Sequence, residues 1–396
     1  MKRTSSISSP HCNCNLKLQR GLASRSLYSV QRQGGFSLIE LMVAMVLGLI
    51  VVAGLINLFI ANRKAYEVQS NNNFLQEDLR IATDRMAWPL RMADFWGGVS
   101  ASNVVIGSAG GSVTANGACN GAWVTAVTSA TAGGGGIYGY DGGANFPLDT
   151  ACIGGAANYV PGSSVLVLRF ADSQVLAPGP AVPNVSPAEA STITGNPSEI
   201  FVLSAPTVSA QLFSGTVPTI NTTLPSYAYA YQLNMFYLRP CSVLATGAAC
   251  SATSDGGMPL PTLMRMYLTN TGTLVSEPVV DGIEQMNIEY GVATDLTTNV
   301  APTYETASTV TTNNQWGNVV SVRVSLVAVN PARDISVPHV FTATLGTLAA
   351  CTYTINNGTA PTTTDCPNFT PYGDKPWQFV RTSQQFVVEL RNRYEG

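Results

Sequence analysis

The spacing of apolar residues changes along the chain. From Phe36 to Ala61 the sequence FSLIELMVAMVLGLIVVAGLINLFIA is apolar on every side and carries one charge, that of Glu40. From Leu75 to Ala93 apolar residues recur at steps of three and four, the period of a helix with one buried face. Together the two stretches predict one long helix from residue 37 to the mid-90s, in which Pro89 favours a kink.

The first of these stretches is long enough to cross a membrane. Residues 41–61 form a run of 21, which as a helix measures about 31 Å, close to the thickness of the hydrocarbon core. A secretory signal peptide is one alternative, but this run is too long and lacks a small-x-small cleavage pattern. An uncleaved membrane anchor is the other alternative, which hydropathy alone leaves open.

The period changes to two after Gly97 and Gly98, where short β-branched runs alternate with Gly, Pro, Asn and Ser. The predicted strands are 163–171, 199–204, 227–238, 262–268, 283–291, 319–329 and 377–390. In 319–329, Val and Leu alternate with Ser and Arg, which predicts a sheet with one face buried under the helix. Between the strands, 107–160 and 173–197 are predicted to be loops too poor in apolar residues to order themselves.

Charge is distributed unevenly along the chain. Residues 1–35 carry six of the 20 basic residues and none of the 23 acidic ones, so the rest has a net charge of about −9. The basic leader predicts a cytoplasmic N-terminus, with the residues after Ala61 on the periplasmic or outer side. The negative remainder argues against a nucleic-acid partner.

The eight cysteines form two groups. Cys12 and Cys14 lie in the leader, where the cytoplasm would keep them reduced. The other six lie beyond the apolar run, and an even number in an exported domain favours disulfides. Six cysteines allow 15 pairings, of which the simplest joins sequence neighbours: Cys119–Cys152, Cys241–Cys250 and Cys351–Cys366.

The run GGFSLIELMVAM at 34–45, directly after the basic leader, resembles the processing site of type IV prepilins. The resemblance implies that a prepilin peptidase cuts after Gly35, that the new N-terminal Phe36 is N-methylated, and that Glu40 acts in assembly. One helical turn separates the Phe36 amine from Glu40, so the two charges can pair within a subunit or between neighbours. Snorkelling of Glu40 at the membrane interface is the alternative.

Weaker motifs resemble one branch of that family, the large minor pilins of the PilW type. They are the stretch 73–96, DGIE at 281–284, the strand 320–326 with its turn PAR at 331–333, and LRN at 390–392. This resemblance implies a minor pilin that helps to start or cap a filament, with the major pilin, other minor pilins and a tip adhesin as partners. A pseudopilin of a type II secretion system and a tip module that binds a surface remain alternatives.

The expected fold class is α+β and pilin-like: a long N-terminal helix, transmembrane in its first half, packed on an antiparallel β-sheet head with disulfide-stapled loops. The expected segments are a cleaved leader 1–35, an inner-membrane segment 36–61, an amphipathic stalk 62–96 and a head 97–396, loop-rich over 97–200.

No catalytic site, metal or cofactor is predicted. His339 is the one histidine after residue 35, and the sequence contains neither a Walker-type loop nor a His-Glu-x-x-His motif. Asp141, Asp149 and Asp255 lie in glycine-rich loops, where they are either calcium ligands or solvated acids. The chain is therefore expected not to be an enzyme.

Overall fold

The computed structural model describes residues 35–128, 133–176, 187–220, 223–244, 247, 249–294, 296, 302–333, 340–346, 352–355 and 376–393. The chain divides into two compact units, the first ending at Lys64 and the second beginning at Ala65. His339, Cys351 and Cys366 lie outside the described residues.

The helices of the described residues differ greatly in length. They are α1 (Leu38–Met92), α2 (Gly121–Val124), α3 (Pro187–Gly195) and α4 (Ala307–Thr312). Helix α1 runs for 55 residues and continues past Pro89, which lies in its last turn. Gly97 and Gly98 follow with φ of +69° and +81°, backbone angles that suit glycine. A Cβ on Gly97 would also lie 2.8 Å from the Ser204 Cβ, so the turn has no room for a side chain.

The strands of the described residues belong to three sheets. In chain order they are β1 (Val104–Ile106), β2 (Ile137–Tyr140), β3 (Val165–Val175), β4 (Phe201–Ala205), β5 (Ser209–Phe213), β6 (Tyr227–Arg239), β7 (Thr262–Leu268), β8 (Leu274–Asp281), β9 (Ile283–Val292), β10 (Thr303–Glu305), β11 (Val319–Arg333), β12 (Phe341–Thr344), β13 (Thr352–Ile355) and β14 (Phe379–Glu389).

The largest sheet is organised around β6. Its strand order is β1-β5-β4-β6-β3-β2, and β7 and β8 extend it from the second half of β6. One edge of β6 therefore pairs with β4 near Tyr229 and with β7 near Phe236. The expected antiparallel head needs one correction, because β1 pairs with β5 in parallel. More than a hundred residues separate the register partners Val104 and Ala210. Because β1 and β5 are not joined by a short hairpin, their connection does not require antiparallel pairing.

The second sheet has the order β10-β9-β11-β14 and is antiparallel throughout. Val324 on β11 stands opposite Ile288 on β9 and Phe386 on β14. Val322, Val324 and Leu326 of β11 lie in the core, as the sequence pattern predicts. The prediction of a single buried face is wrong, because Ser321 and Ser325 on the other face are buried as well. Strands β12 and β13 form a separate two-stranded sheet.

One apolar core joins the second half of α1 to both larger sheets. The helix contributes one face, made of Leu75, Leu79, Ala82, Met86 and Leu90, all at most 2% exposed. Residues 36–63 of the first unit are exposed in contrast. The alternation of buried and exposed positions therefore begins only in the second half of the helix, where the three- and four-residue period appears.

The segment 107–160 is more ordered than its composition predicts. It contains α2 and β2 and places Val124, Val127, Ile137, Phe146 and Tyr159 in the core. A disulfide between Cys119 and Cys152 closes the segment on itself, and the buried Arg169 of β3 holds it against the sheet. Tertiary contacts therefore replace the apolar content that the segment lacks.

Candidate functional site

The prepilin-like motif lies at the exposed start of α1. Gly35, Phe36 and Ser37 precede the helix, and the Leu41 amide donates to the Ser37 carbonyl at 3.1 Å to close the first turn. The Phe36 side chain is 82% exposed. A Cβ on Gly35 would meet no atom within 4 Å, so the fold itself does not require glycine there.

Glu40 is the acidic residue of the first turn of α1. Its side chain is exposed, and a carboxylate at this end of a helix interacts favourably with the unpaired amides of the first turn. Phe36 lies four residues earlier, just before the first residue of α1. In the uncut chain the Phe36 nitrogen is a peptide amide without charge, so a charged pair requires cleavage after Gly35.

The first half of α1 is long and apolar enough to cross a bilayer. None of its most apolar 18-residue window is buried against protein. An exposed apolar helix of this length is stable in lipid because every backbone hydrogen bond is made within the helix.

The C-terminal residues cap the far end of α1. The Asn392 Nδ2 donates to the carbonyls of Arg91, Met92 and Ala93 at 3.3, 3.5 and 3.2 Å. A helix end leaves its last carbonyls without partners inside the helix. Of these three, the Met92 carbonyl also accepts from the Phe95 amide at 3.0 Å. Arg393 follows, and its Nε lies 2.5 Å from Asp94 Oδ2.

Asp94 connects this cap to the core. Its Oδ1 accepts from the Trp96 indole at 3.0 Å, and both side chains are buried. Arg393 also donates to the Trp316 carbonyl at 2.8 Å. A cavity of about 450 Å³ adjoins these groups and is lined by Asp94, Trp96, Asn392 and Arg393 among others. The motif LRN at 390–392 was expected only from a resemblance, and in the structure its Asn392 caps the helix end.

A buried ion pair links β9 to β14. Arg381 Nε and Nη2 lie 2.6 and 3.1 Å from the two carboxylate oxygens of Glu284, and both side chains are fully buried. The bidentate geometry is the strong form of this interaction. Glu284 closes the DGIE motif, in which Gly282 has a φ of +79° and donates to the Pro261 carbonyl at 2.7 Å.

Asp281, the other acidic residue of the DGIE motif, affects the pKa of Asp78 on α1. Asp78 on the helix is partly buried, and burial together with the charges of Asp281 and Glu77 raises its pKa to about 6. A Cβ on Gly282 would lie 3.8 Å from the Asp78 carboxylate. The motif therefore meets the stalk half of α1 directly.

Arg169 anchors the glycine-rich segment. Its three guanidinium nitrogens donate to the carbonyls of Val124, Gly135 and Trp123 at 3.2, 3.1 and 2.9 Å. The guanidinium also stacks 5.2 Å from the centre of the Trp123 ring. Burial lowers the Arg169 pKa, because the charged form loses water. No sequence pattern identified Arg169, which stands in an otherwise apolar strand.

Two of the three pairs of sequence-neighbouring cysteines form disulfides in the structure. Cys119 joins Cys152, closing a loop with a sequence separation of 33, and Cys241 joins Cys250 with a separation of 9. Both bridges lie in the second unit. The third pair of sequence neighbours, Cys351 and Cys366, falls outside the described residues.

The three candidate calcium ligands bind backbone amides instead. Asp141 accepts from the amides of Ala307 and Ser308 at 2.8 and 2.9 Å, at the start of α4. Asp149 accepts from the Ala151 amide at 3.0 Å. These carboxylates have structural partners and stand apart from one another.

Asp255 lies after the loop closed by Cys241 and Cys250 and has the same role. It accepts from the amides of Ser242, Val243 and Leu260 at 3.0, 2.5 and 3.0 Å. Over the described ranges, no group of three or more His, Cys, Asp and Glu side chains could hold a metal ion.

Comparison with known families gives two matches. The family model for the prokaryotic N-terminal methylation motif matches residues 30–56, and the model for type IV pilus-assembly protein W matches residues 249–392. No curated protein and no solved structure matches significantly. The second match begins near β7 and ends at Asn392, so it contains the DGIE motif, both partners of the Glu284–Arg381 pair and the residue that caps α1. Residues 57–248 lie between the two matches.

Proposed function

Since this chain is a type IV pilus-related pilin, with the methylation motif of prepilins at residues 30–56 and a match to the pilus-assembly protein W family over residues 249–392, we propose that it is a minor pilin. It acts in the initiation of pilus assembly or in the tip complex. Its role is structural, and its partners are other pilus components.

Processing is the first step of the proposed function. A prepilin peptidase cuts after Gly35 and the Phe36 amine is methylated, which keeps its positive charge. The exposure of the segment around Phe36 supports this step, because a protease needs access to an extended backbone. Cleavage places an ammonium one helical turn before Glu40, and this carboxylate then recruits the subunit into the filament.

The main support for the proposal is the attachment of the head to the end of α1. A filament subunit must transmit force between its helix and its head, and a loosely attached head would separate under load. The three carbonyls capped by Asn392, the Arg393–Asp94 ion pair and the shared apolar core all attach the second half of α1 to the head. The matched family region ends at Asn392 and so contains the residue that caps the helix.

The proposed location follows from the apolar helix and the charge of the leader. The protein resides in the inner membrane as a single-pass precursor with a cytoplasmic N-terminus and a periplasmic head, and then enters the filament. In this proposal residues 1–35 are the leader, 36–61 the membrane segment, 62–96 the stalk and 97–396 the head. Inner-membrane lipid, the prepilin peptidase, the major pilin, other minor pilins and a tip adhesin are its partners.

Deletion of the gene tests the proposal. The deletion strain should lose sheared surface pili, and expression of the wild-type chain should restore them. A Gly35→Arg chain should stay uncut, with intact mass showing the leader still attached, and should not restore pili. If the deletion abolished type II secretion while leaving pili normal, the chain would be a pseudopilin and the proposal wrong.

A further inference from the structure

The largest sheet contains an opening along one side of β6. On that side β4 pairs with β6 as far as Ala230, and β7 pairs with it from Asn234 onwards. Among the described strands, none pairs with Gln232 or Leu233 on this side. A gap therefore separates the start of β4 from the end of β7. A cavity of about 460 Å³ lies at this gap, within the range of small-molecule pockets, about 300–1,000 Å³.

The turn between β7 and β8 borders the cavity and is held by hydrogen bonds of its own. The Thr269 hydroxyl donates to the Thr273 carbonyl at 3.0 Å, and the Gly272 amide donates to the Thr269 carbonyl at 3.0 Å. The Gly272 carbonyl accepts from the Thr114 amide at 2.8 Å, which attaches the turn to a distant segment. The cleft therefore has its shape without a ligand, and binding does not have to order it.

Several polar groups of the lining are available to a ligand. Glu199 is half-buried, and burial raises the pKa of its carboxyl group. In the part of the chain that the structure describes, the buried Nε of Arg265 has no hydrogen-bond partner. Gln232 donates from Nε2 to the Asp172 carboxylate at 3.4 Å, which leaves its carbonyl oxygen as an acceptor. The other polar side chains of the lining are those of Tyr267, Thr269 and Asn270.

The charges of the lining favour a neutral ligand. Glu199 and Arg265 have opposite signs, so a ligand of either charge would be attracted by one and repelled by the other. Arg265 is also occupied, because its Nη2 lies 2.5 Å from Glu277 Oε1 and its guanidinium stacks 4.9 Å from the centre of the Tyr267 ring. This pairing weakens its attraction for an anion.

We propose that the cleft between β4 and β7 binds a neutral sugar residue of a glycan. A hydroxyl group both donates and accepts. Hydroxyls of one sugar ring can therefore donate to the Glu199 carboxylate and the Gln232 carbonyl while another accepts from Arg265. An apolar ligand would leave these groups without partners, which weakens binding. The inference goes beyond the proposed function and depends only on the fold of the second unit.

Binding to a printed glycan array tests the proposal. The full-length chain is purified in a detergent without a sugar headgroup, because a maltoside or glucoside would compete for the site. The array carries neutral oligosaccharides together with their sialylated and sulfated forms. The neutral oligosaccharide that binds best is then labelled with a fluorophore and titrated with the wild type and each variant.

The expected result is that the wild type binds a neutral oligosaccharide more strongly than its sialylated and sulfated forms. Glu199→Gln should raise the Kd of that oligosaccharide roughly tenfold, because a charged acceptor is lost. Asn270→Ala changes an exposed turn residue and should raise it roughly threefold. Glu305→Gln is the matched control, since Glu305 is also half-buried but lies on β10 of the second sheet, and it should leave the Kd unchanged.

The Tm of each variant shows whether its fold is intact. Glu199→Gln should not lower the Tm, because it removes a half-buried charge. Absence of binding to every glycan on the array would overturn the proposal, as would a preference for the sialylated or sulfated forms. Glu199→Gln and Asn270→Ala variants that both bind as tightly as the wild type would overturn it as well.

The sugar site and the pilin function fail in different measurements. Glu199→Gln should restore pili to the deletion strain as the wild type does. If the wild-type chain is absent from sheared filaments but binds a neutral glycan through Glu199, the site stands and the minor-pilin proposal is wrong. If the chain restores pili but glycan binding does not depend on Glu199 or Asn270, the sugar site is wrong.

Discussion

The side-chain amide of Asn392 donates to the backbone carbonyl of Ala93, a residue 299 positions earlier, at 3.2 Å. The last described residues of the second unit therefore meet the C-terminal end of α1. This contact predicts how the attachment of α1 to the head can be weakened without disturbing the apolar core.

Asn392→Ala should destabilise the mature protein by about 1 kcal/mol, because three helix-end carbonyls lose their shared donor. The Tm in detergent should fall by ~2 °C. Arg391→Ala is the matched control, since Arg391 is the exposed neighbouring residue, and it should change the Tm little. Equal effects of the two variants would show that the cap contributes no stability of its own.

Removing Arg381 should be far more costly. Arg381→Met leaves Glu284 charged and buried without its guanidinium, a loss of about 3–5 kcal/mol. The double variant Glu284→Leu/Arg381→Met should recover most of this loss, because it removes both charges together. Chemical denaturation of the wild type, Glu284→Leu, Arg381→Met and the double variant measures the coupling. A double variant no more stable than Arg381→Met would contradict a pairwise interaction.

Asp78 should make stability depend on pH. Its pKa rises from the ordinary 3.8 to about 6 in the folded protein, so the folded state binds a proton more tightly than the unfolded state does. The free energy of unfolding should therefore decrease as the pH rises from about 4 to above 6.

The variant Asp78→Asn isolates this effect. It should stabilise the protein at pH 8 by about 1 kcal/mol, a value reduced from the full linkage energy because Asp78 is half exposed, and it should have little effect at pH 4. Asp84→Asn, an exposed acid on the same helix, is the control. Parallel Tm–pH curves for wild type and Asp78→Asn would disprove the assignment.

Both disulfides should be present in the exported protein. Non-reducing peptide mapping of the mature chain should identify Cys119–Cys152 and Cys241–Cys250. In the chain-entropy model, opening the loop of separation 33 costs about 3.7 kcal/mol and opening that of separation 9 about 2.6 kcal/mol. Cys119→Ser/Cys152→Ser should therefore lower stability more than Cys241→Ser/Cys250→Ser. Full alkylation of these four thiols without a reductant would contradict the prediction.

Glu40→Val should leave membrane insertion intact, because it removes a charge from an apolar segment. Cleavage after Gly35 should continue. Incorporation into sheared filaments should fall more than tenfold, since the Phe36 ammonium would have no carboxylate to meet. Glu40→Asp keeps the charge on a shorter side chain and should be incorporated partially. If Glu40→Val entered filaments as well as the wild type, Glu40 would only be a residue at the membrane interface, without a role in assembly.

Much of the architecture can be predicted from residue order because the signals are local. Periods of two and 3.6 residues identified α1 and the seven strands that became β3, β4, β6, β7, β9, β11 and β14. The remaining strands carried weaker signals. Strands β1 and β10 have three residues each, and β8 contains Pro278, which removes a ladder donor and indicates an edge or a turn.

The sequence by itself determined the features that act within one helical turn or across a bilayer: the glycine before Phe36, the spacing from Phe36 to Glu40, and the long apolar segment. Only the tertiary structure decided which distant groups meet. Asn392 caps α1, Arg381 pairs with Glu284, and Arg169 anchors a segment whose composition predicts disorder. These contacts depend on side chains brought together by sheet register from positions 34 to 301 residues apart, and spacing along the chain carries no information about such pairs.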